Sequence, residues 1–166
     1  MRQVRRGVFE TNSSSTHTIT IKGENKLEKS EFSTDINGKV RAKFGNYGWA
    51  FHPLETQAER LSYLLTMARI KTGCDEYIWG DGTTKKDKRN FEVTREFQAI
   101  SDAVARNTPD CTGIRIDIDD YDEGELDHQS HEEFNSLEEF LDHCGTTIDE
   151  FIFGGDIEIN DGGGGC

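Results

Sequence analysis

The stretch VFETNSSSTHTITIKG, residues 8–23, places six consecutive polar residues between two runs of β-rich sequence. In the second run, threonines alternate with His17, Ile19 and Ile21, which is the period-two pattern of a half-buried strand. If the two isoleucines face the core, His17 shares their face at the mouth of the strand. The stretch therefore predicts two strands that hold a polar loop between them.

Two further strands and two principal helices are predicted in the middle of the chain. Period-two alternation marks the strands GKVRAKFG (38–45) and GIRIDID (113–119). Apolar residues recur at intervals of three and four from about Glu55 to Lys71 and from Phe91 to about Arg106, which predicts two amphipathic helices. The apolar face of the second helix is formed by Val93, Phe97, Ile100 and Val104.

The C-terminal part adds a short helix and a last strand. Ser136 lies three residues before Glu139, a spacing that predicts a capping box at the start of a helix. FIFGGDIEI, residues 151–159, predicts the terminal strand. We therefore expect one α+β domain over residues 1–161, with a mainly antiparallel sheet and the two principal helices on one face. A flexible Gly-rich tail is expected at 162–166.

Charge is distributed unevenly along the 166 residues, whose net charge is −13. Residues 110–161 contain eighteen acidic residues and one basic residue, Arg115, a balance of −17, and the rest of the chain carries +4. Such a segment does not bind nucleic acid. It is a solubilising surface, a face for basic protein partners or a divalent-cation site. The partner-binding candidates are Asp117, Asp119, Asp120 and Asp122.

Features of secretion and membrane insertion are not found in the sequence. The chain has no apolar run of about 18 residues, and no apolar block follows the N-terminal arginines. Its four cysteines lie far apart without a CxxC pair, which is typical of reduced cytosolic thiols. We therefore expect a cytoplasmic protein.

The polar loop NSSSTH, residues 12–17, is the first candidate site. Its side chains can hydrogen-bond the local backbone and make a tight turn, which is one interpretation. The other is a ligand-binding or catalytic site, because an imidazole beside exposed hydroxyls can hold a phosphate. Ser15 and His17 are the catalytic candidates, although close neighbours on a strand point in different directions and make a Ser–His dyad doubtful. The ligand-binding candidates here are Asn12, Ser13 and Ser14.

The segment LDHQSHEE, residues 126–133, is the second candidate site. A carboxylate beside an imidazole can orient it and set its tautomer. Surface histidines, a polar site and a zinc site all stay open, but no third ligand follows at a zinc spacing and no metal is predicted. An EF-hand in DIDDYDEGE is excluded because its fifth, sixth and twelfth positions do not fit. The catalytic candidates are Asp127 and His128, and the ligand-binding candidates are Gln129 and Ser130.

Three motifs carry a resemblance to a known family. RRGVFETNSSSTHTITI resembles the opening of a family of small uncharacterised proteins from tailed phages and low-GC Gram-positive bacteria. FGNYGWAF and LDHQS resemble its middle and later motifs. The resemblance implies a phage or prophage origin and an association of the NSSSTH loop with the DHQS segment, and it implies no particular activity.

Two functional hypotheses follow, beside a third in which the chain is an accessory domain without a site. The first is an intracellular enzyme or binding protein with a pocket for a phosphate-bearing small molecule, in which His17 and His128 lie within about one water-bridged contact. The alternative is an acidic phage-encoded inhibitor, a nucleic-acid mimic that binds a host nuclease or defence complex. The residues identify no cofactor, and direct binding to nucleic acid or membranes is not expected.

Overall fold

The structure, a computed structural model, describes residues 15–21, 26–47, 54–74, 91–117, 124–126, 134–154 and 157–163, with the backbone and strand register alone for 15–21 and 157–163. The helices are α1 (Gln57–Lys71), α2 (Arg95–Asn107), α3 (Leu137–Cys144) and α4 (Ile148–Phe153). The strands are β1 (Ser15–Ile21), β2 (Lys39–Ala42), β3 (Asn46–Tyr47), β4 (Gly113–Ile116), β5 (Glu125–Leu126) and β6 (Ile157–Gly163).

The described strands form three pairs, and the expected α+β class is confirmed. β1 pairs with β6 in the antiparallel sense, whereas β2–β4 and β3–β5 are parallel. The prediction of a mainly antiparallel sheet is therefore wrong for the described strands. The physical reason is the connection, because α1 and α2 both lie between β2 and β4 and return the chain to the same end of the sheet.

The two principal helices form close to where the sequence predicts them, with one correction. The Thr56 hydroxyl accepts the amide of Glu59 and the Glu59 carboxylate accepts the amide of Thr56, so a capping box begins α1. The second helix begins only at Arg95, because the Thr94 hydroxyl caps it by accepting the amide of Phe97. Val93 precedes this cap and is 76% exposed, so its assignment to the apolar face is wrong.

The C-terminal segment contains one helix more than the sequence predicts. Ser136 caps α3 as expected, but the Glu139 carboxylate accepts the amide of Asn135 instead of that of Ser136. Residues 151–153 belong to α4, so the strand predicted for 151–159 is wrong in its first part. The physical reason is a capping box between Thr147 and Glu150 that starts a helix there. β6 ends at Gly163, and thus includes two residues of the predicted tail.

The core is built around α1, which contacts the other three helices, β2 and β5. Every residue from Arg60 to Ala68 is buried, as expected for a helix surrounded by other elements. Tyr63 packs against Phe140 of α3 and Phe151 of α4, with ring centroids 6.0 Å apart in both pairs. None of the helices in the described ranges has the length and apolar character needed to span a bilayer.

Candidate functional site

The β1–β6 ribbon places the first candidate segment opposite the end of β6. His17 is the register partner of Asp161, Thr16 of Gly162 and Ser15 of Gly163. In a regular antiparallel pair, the side chains of directly opposite residues lie on the same face with Cβ atoms about 4.5–5.5 Å apart. Asp161 is therefore a further candidate residue of this site, which the sequence analysis did not identify. Only the register identifies it, because Asp161 lies 144 positions after His17 in the chain.

Glycines occupy the two register positions across from Ser15 and Thr16. A glycine has no Cβ, so a ligand can approach its backbone amide closely. Backbone amides that are accessible in this way are the groups that commonly hold phosphate oxygens in proteins. The end of the ribbon therefore places hydroxyl-bearing residues opposite two glycines.

The root of this ribbon is tied to the core. Leu27 forms an antiparallel bridge with Gly154, and the Glu28 amide donates to the carbonyl of Phe153 at 2.7 Å. These contacts lie after β1 and before β6 in the chain, and they join the two segments beside the helical part of the molecule. Phe153 is fully buried and contacts the ring of Phe32 edge-on. The position of β6 therefore depends on how α4 ends.

A buried arginine holds the end of α4. The Arg60 guanidinium donates through Nε to the carbonyl of Leu54 at 3.1 Å and through Nη2 to that of Glu55 at 3.3 Å. Its Nη1 donates to the carbonyls of Gly154 and, at 3.5 Å, Ile152. Because these last two carbonyls lie at the C-terminal end of a helix, a cation there is favoured by the helix dipole as well.

Burial lowers the pKa of Arg60, and the nearby charges of Glu28, Glu31 and Glu59 oppose this shift. An arginine retains its proton in proteins even when its pKa is lowered. Arg60 is therefore a permanent buried cation whose N–H groups are directed at backbone carbonyls. This arrangement fixes backbone and gives Arg60 a positioning role at the ribbon root.

The acidic candidate that the structure describes is engaged within the chain. Asp117 follows β4, and its Oδ2 lies 2.6 Å from Nε of Arg41, while its Oδ1 lies 3.7 Å from Nε of Arg115. The Asp117 side chain is partly exposed. Its carboxylate, however, is already shared by two cations. The other three partner-binding candidates, Asp119, Asp120 and Asp122, lie outside the described residues.

The remaining candidates of the two polar segments also lie outside the described residues. The proximity of His17 and His128 therefore stays a prediction. The structure brings Ser15 and His17 together on β1, and it adds Asp161 by register. The candidates outside the described part of the chain are Asn12, Ser13, Ser14, Asp127, His128, Gln129 and Ser130.

The described part of the chain shows no grouped metal ligands, and its buried cysteine is not activated. No three His, Cys, Asp or Glu side chains gather there into a group that could hold a metal ion. Cys144 is buried in α3, and burial raises the pKa of its thiol to about 12. A thiol with so high a pKa carries almost no thiolate at neutral pH and is a poor nucleophile. Cys144 is therefore a core residue.

Comparison of the chain with protein families, curated proteins and solved structures finds no match. The resemblance of the NSSSTH region to the phage and Gram-positive family stays a prediction.

Proposed function

We propose that the end of the β1–β6 ribbon binds a phosphate-bearing small molecule, in an intracellular protein of phage or prophage type. The single observation that carries the proposal is the register that places Ser15 and Thr16 opposite Gly163 and Gly162. Hydroxyls on one strand and glycine backbone amides on the other are both groups that can donate to phosphate oxygens. The sequence motif NSSSTH supports the same site, since it continues the hydroxyl-bearing run toward the N-terminus.

His17 is proposed as the group that recognises the phosphate charge. Its register partner Asp161 is a carboxylate, which can accept a hydrogen bond from one ring nitrogen and leave the other directed at a ligand. A carboxylate partner also favours the protonated imidazole, and a protonated imidazole has two donors for phosphate oxygens. The same pair can act in general acid–base catalysis, so the proposal covers both a binding protein and an enzyme.

The acidic C-terminal segment predicts how the affinity for an anionic ligand depends on salt. Residues 110–161 have a balance of −17, and an anionic ligand is repelled by such a segment. Salt screens this repulsion over about 8–10 Å at physiological ionic strength. Binding of a phosphate-bearing ligand should therefore strengthen between about 10 mM and 150 mM NaCl, whereas the binding of a basic partner would weaken.

The experiment is a thermal-shift screen of the purified protein with nucleoside mono-, di- and triphosphates, sugar phosphates and inorganic phosphate. A ligand that raises the melting temperature is then titrated by calorimetry against the wild type and two variants, Ser15→Ala and His17→Gln. Both variants are expected to lose at least about tenfold in affinity. Ser15→Ala removes a donor to a charged group, and His17→Gln removes the positive charge of the imidazolium; the typical cost of losing a hydrogen bond to a charged group is about 1.5–3 kcal/mol.

Thr20→Ala is the matched control. Thr20 lies on the same strand, pairs with Glu158 and is five residues from Ser15. It should retain the wild-type affinity within about twofold, as expected of a residue that does not contact the ligand. A ligand that binds the His17→Gln variant as tightly as the wild type, or a screen without a hit, would refute the proposal.

A further inference from the structure

The outer face of the β2–β4 pair carries a concentration of positive charge. Arg41 on β2 is the register partner of Arg115 on β4, and the two side chains are 65% and 58% exposed. Val40, which precedes Arg41, is buried in the core, so the two faces of the pair differ completely. Two lysines on β2 or directly after it complete this surface. The cationic face is defined as Lys39, Arg41, Lys43 and Arg115.

The positive charge of this face is opposite in sign to the net charge of the chain. The described part of the chain has eleven Lys and Arg residues, and four of them lie on the cationic face. Among the described residues, the carboxylates of Asp35 and Asp117 lie beside it. The pKa of Asp35 is lowered first by the backbone amide of Lys39 and further by the charges of Arg115 and Arg41. The face retains a positive balance in a chain of net charge −13, which favours an anionic partner.

The geometry of the face already accommodates a carboxylate. Asp117 lies between Arg41 and Arg115, at 2.6 Å from one Nε and 3.7 Å from the other. Lys39 is held in place because its Nζ donates to the carbonyl of Thr112 at 2.8 Å. Alternate residues of a strand are about 6.4–6.8 Å apart, and alternate side chains of any extended peptide have the same repeat. The face thus matches carboxylates at every second position of an extended segment.

We propose that the cationic face docks an extended acidic segment of a partner protein, with Asp or Glu at every second residue. Arg41 and Arg115 together hold one carboxylate, and Lys39 and Lys43 hold its neighbours along the segment. Asp117 is the internal carboxylate with which the partner competes. This surface shares no residue with the phosphate site proposed on the β1–β6 ribbon, and the two proposals stand or fall separately.

The experiment uses the full chain and a fluorescein-labelled peptide with four Asp–Thr repeats, followed by fluorescence anisotropy at 150 mM NaCl. At this ionic strength the Debye length is about 8 Å, so the peptide responds to the nearby face more than to the net charge. The double variant R41S/R115S is expected to lower the affinity at least about tenfold, because charge-assisted hydrogen bonds to carboxylates are lost. R41K/R115K, which retains the charge, should keep part of the affinity, and Asp117→Asn should raise it.

K26S/K29S is the matched control, since it removes the same charge from two exposed lysines outside the cationic face. Its affinity should stay within about twofold of the wild type. Equal losses in the control and in R41S/R115S, or no binding of the acidic peptide, would overturn the proposal. So would equal binding of the matching Asn–Thr peptide, tighter binding of a thymidine 12-mer through the same arginines, or self-association of the chain through this face in sedimentation.

Discussion

Replacing Arg60 by methionine should destabilise the protein strongly. The side chain is 4% exposed, and its guanidinium donates to the carbonyls of Leu54, Glu55 and Gly154, with a longer contact to Ile152. Methionine keeps the apolar stem of the side chain and removes every donor. The variant therefore leaves carbonyl groups without their partner and tests the guanidinium rather than the packing.

The size of the effect follows from two opposing contributions. Each hydrogen bond to a charged group is worth about 1.5–3 kcal/mol, and three of the four contacts to Arg60 are close. Removing the buried charge recovers its desolvation penalty, which is several kcal/mol. We therefore expect a net loss of about 2–4 kcal/mol, which lowers the melting temperature of a domain of this size by about 5–15 °C.

The assay is urea unfolding followed by far-UV circular dichroism, together with amide hydrogen exchange. Exchange should accelerate first at Phe153, Gly154 and the strands β1 and β6, because Arg60 holds the root of that ribbon. Arg60→Lys should recover only part of the stability, since an ammonium group cannot reach all the carbonyls of a guanidinium. Arg95→Met, at an exposed position of α2, is the control and should change little. An Arg60→Met protein that unfolds within about 0.5 kcal/mol of the wild type would refute the reasoning.

Two further predictions concern a glycine and a helix cap. Gly124→Ala should lower the free energy of unfolding by about 2–4 kcal/mol, because Gly124 has a φ of +72° and an added Cβ would lie 2.5 Å from Cβ of Phe44. Gly73→Ala is the control, since Gly73 has a similar φ of +67° but open space around it. It should cost only about 1–2 kcal/mol in the same urea titration. The backbone amide of Thr56 lowers the pKa of the Glu59 carboxyl. The ionised carboxylate therefore stabilises the folded protein fully above the unfolded pKa of about 4.3, and this contribution is lost as the pH falls through the lower folded pKa. Glu59→Gln should therefore reduce the fall of the melting temperature below pH 5, whereas the control Glu55→Gln should not. Equal slopes of melting temperature against pH in both variants would contradict the role assigned to Glu59.

The parts of the fold that could be predicted from the sequence depend on local contacts. The helices starting near Glu55 and at Ser136 were predictable because a capping residue and an apolar period lie within a few residues of each other. The exposed position of Val93 was not predicted, because the apolar period extends across the Thr94 cap. The Thr94 hydroxyl was the available signal, since threonine is a preferred N-cap.

The predictions that were wrong or incomplete concern contacts between distant segments and one short apolar segment of ambiguous periodicity. A short apolar run such as FIF, residues 151–153, cannot be assigned to helix or strand from its periodicity alone. The T-x-x-E spacing of Thr147 and Glu150 was the signal that favours the helix. The parallel pairing of β2 with β4 and the register of His17 with Asp161 join segments far apart in the chain. Local patterns contain no information about such pairing, so the candidate site could be predicted only on its β1 side.

The acidic C-terminal segment illustrates the difference between counting charges and placing them. Asp117 is paired with Arg41, and Asp149 with Arg106, so two of its carboxylates are offset by cations from outside the segment. Glu139 and Glu150 accept backbone amides at the starts of α3 and α4. A balance of −17 therefore overstates the negative field that the described part of this segment presents to a partner. A basic partner of the inhibitor hypothesis would have to recognise acidic residues without these internal roles, and Asp117, whose carboxylate already pairs with Arg41, is poorly suited to that contact.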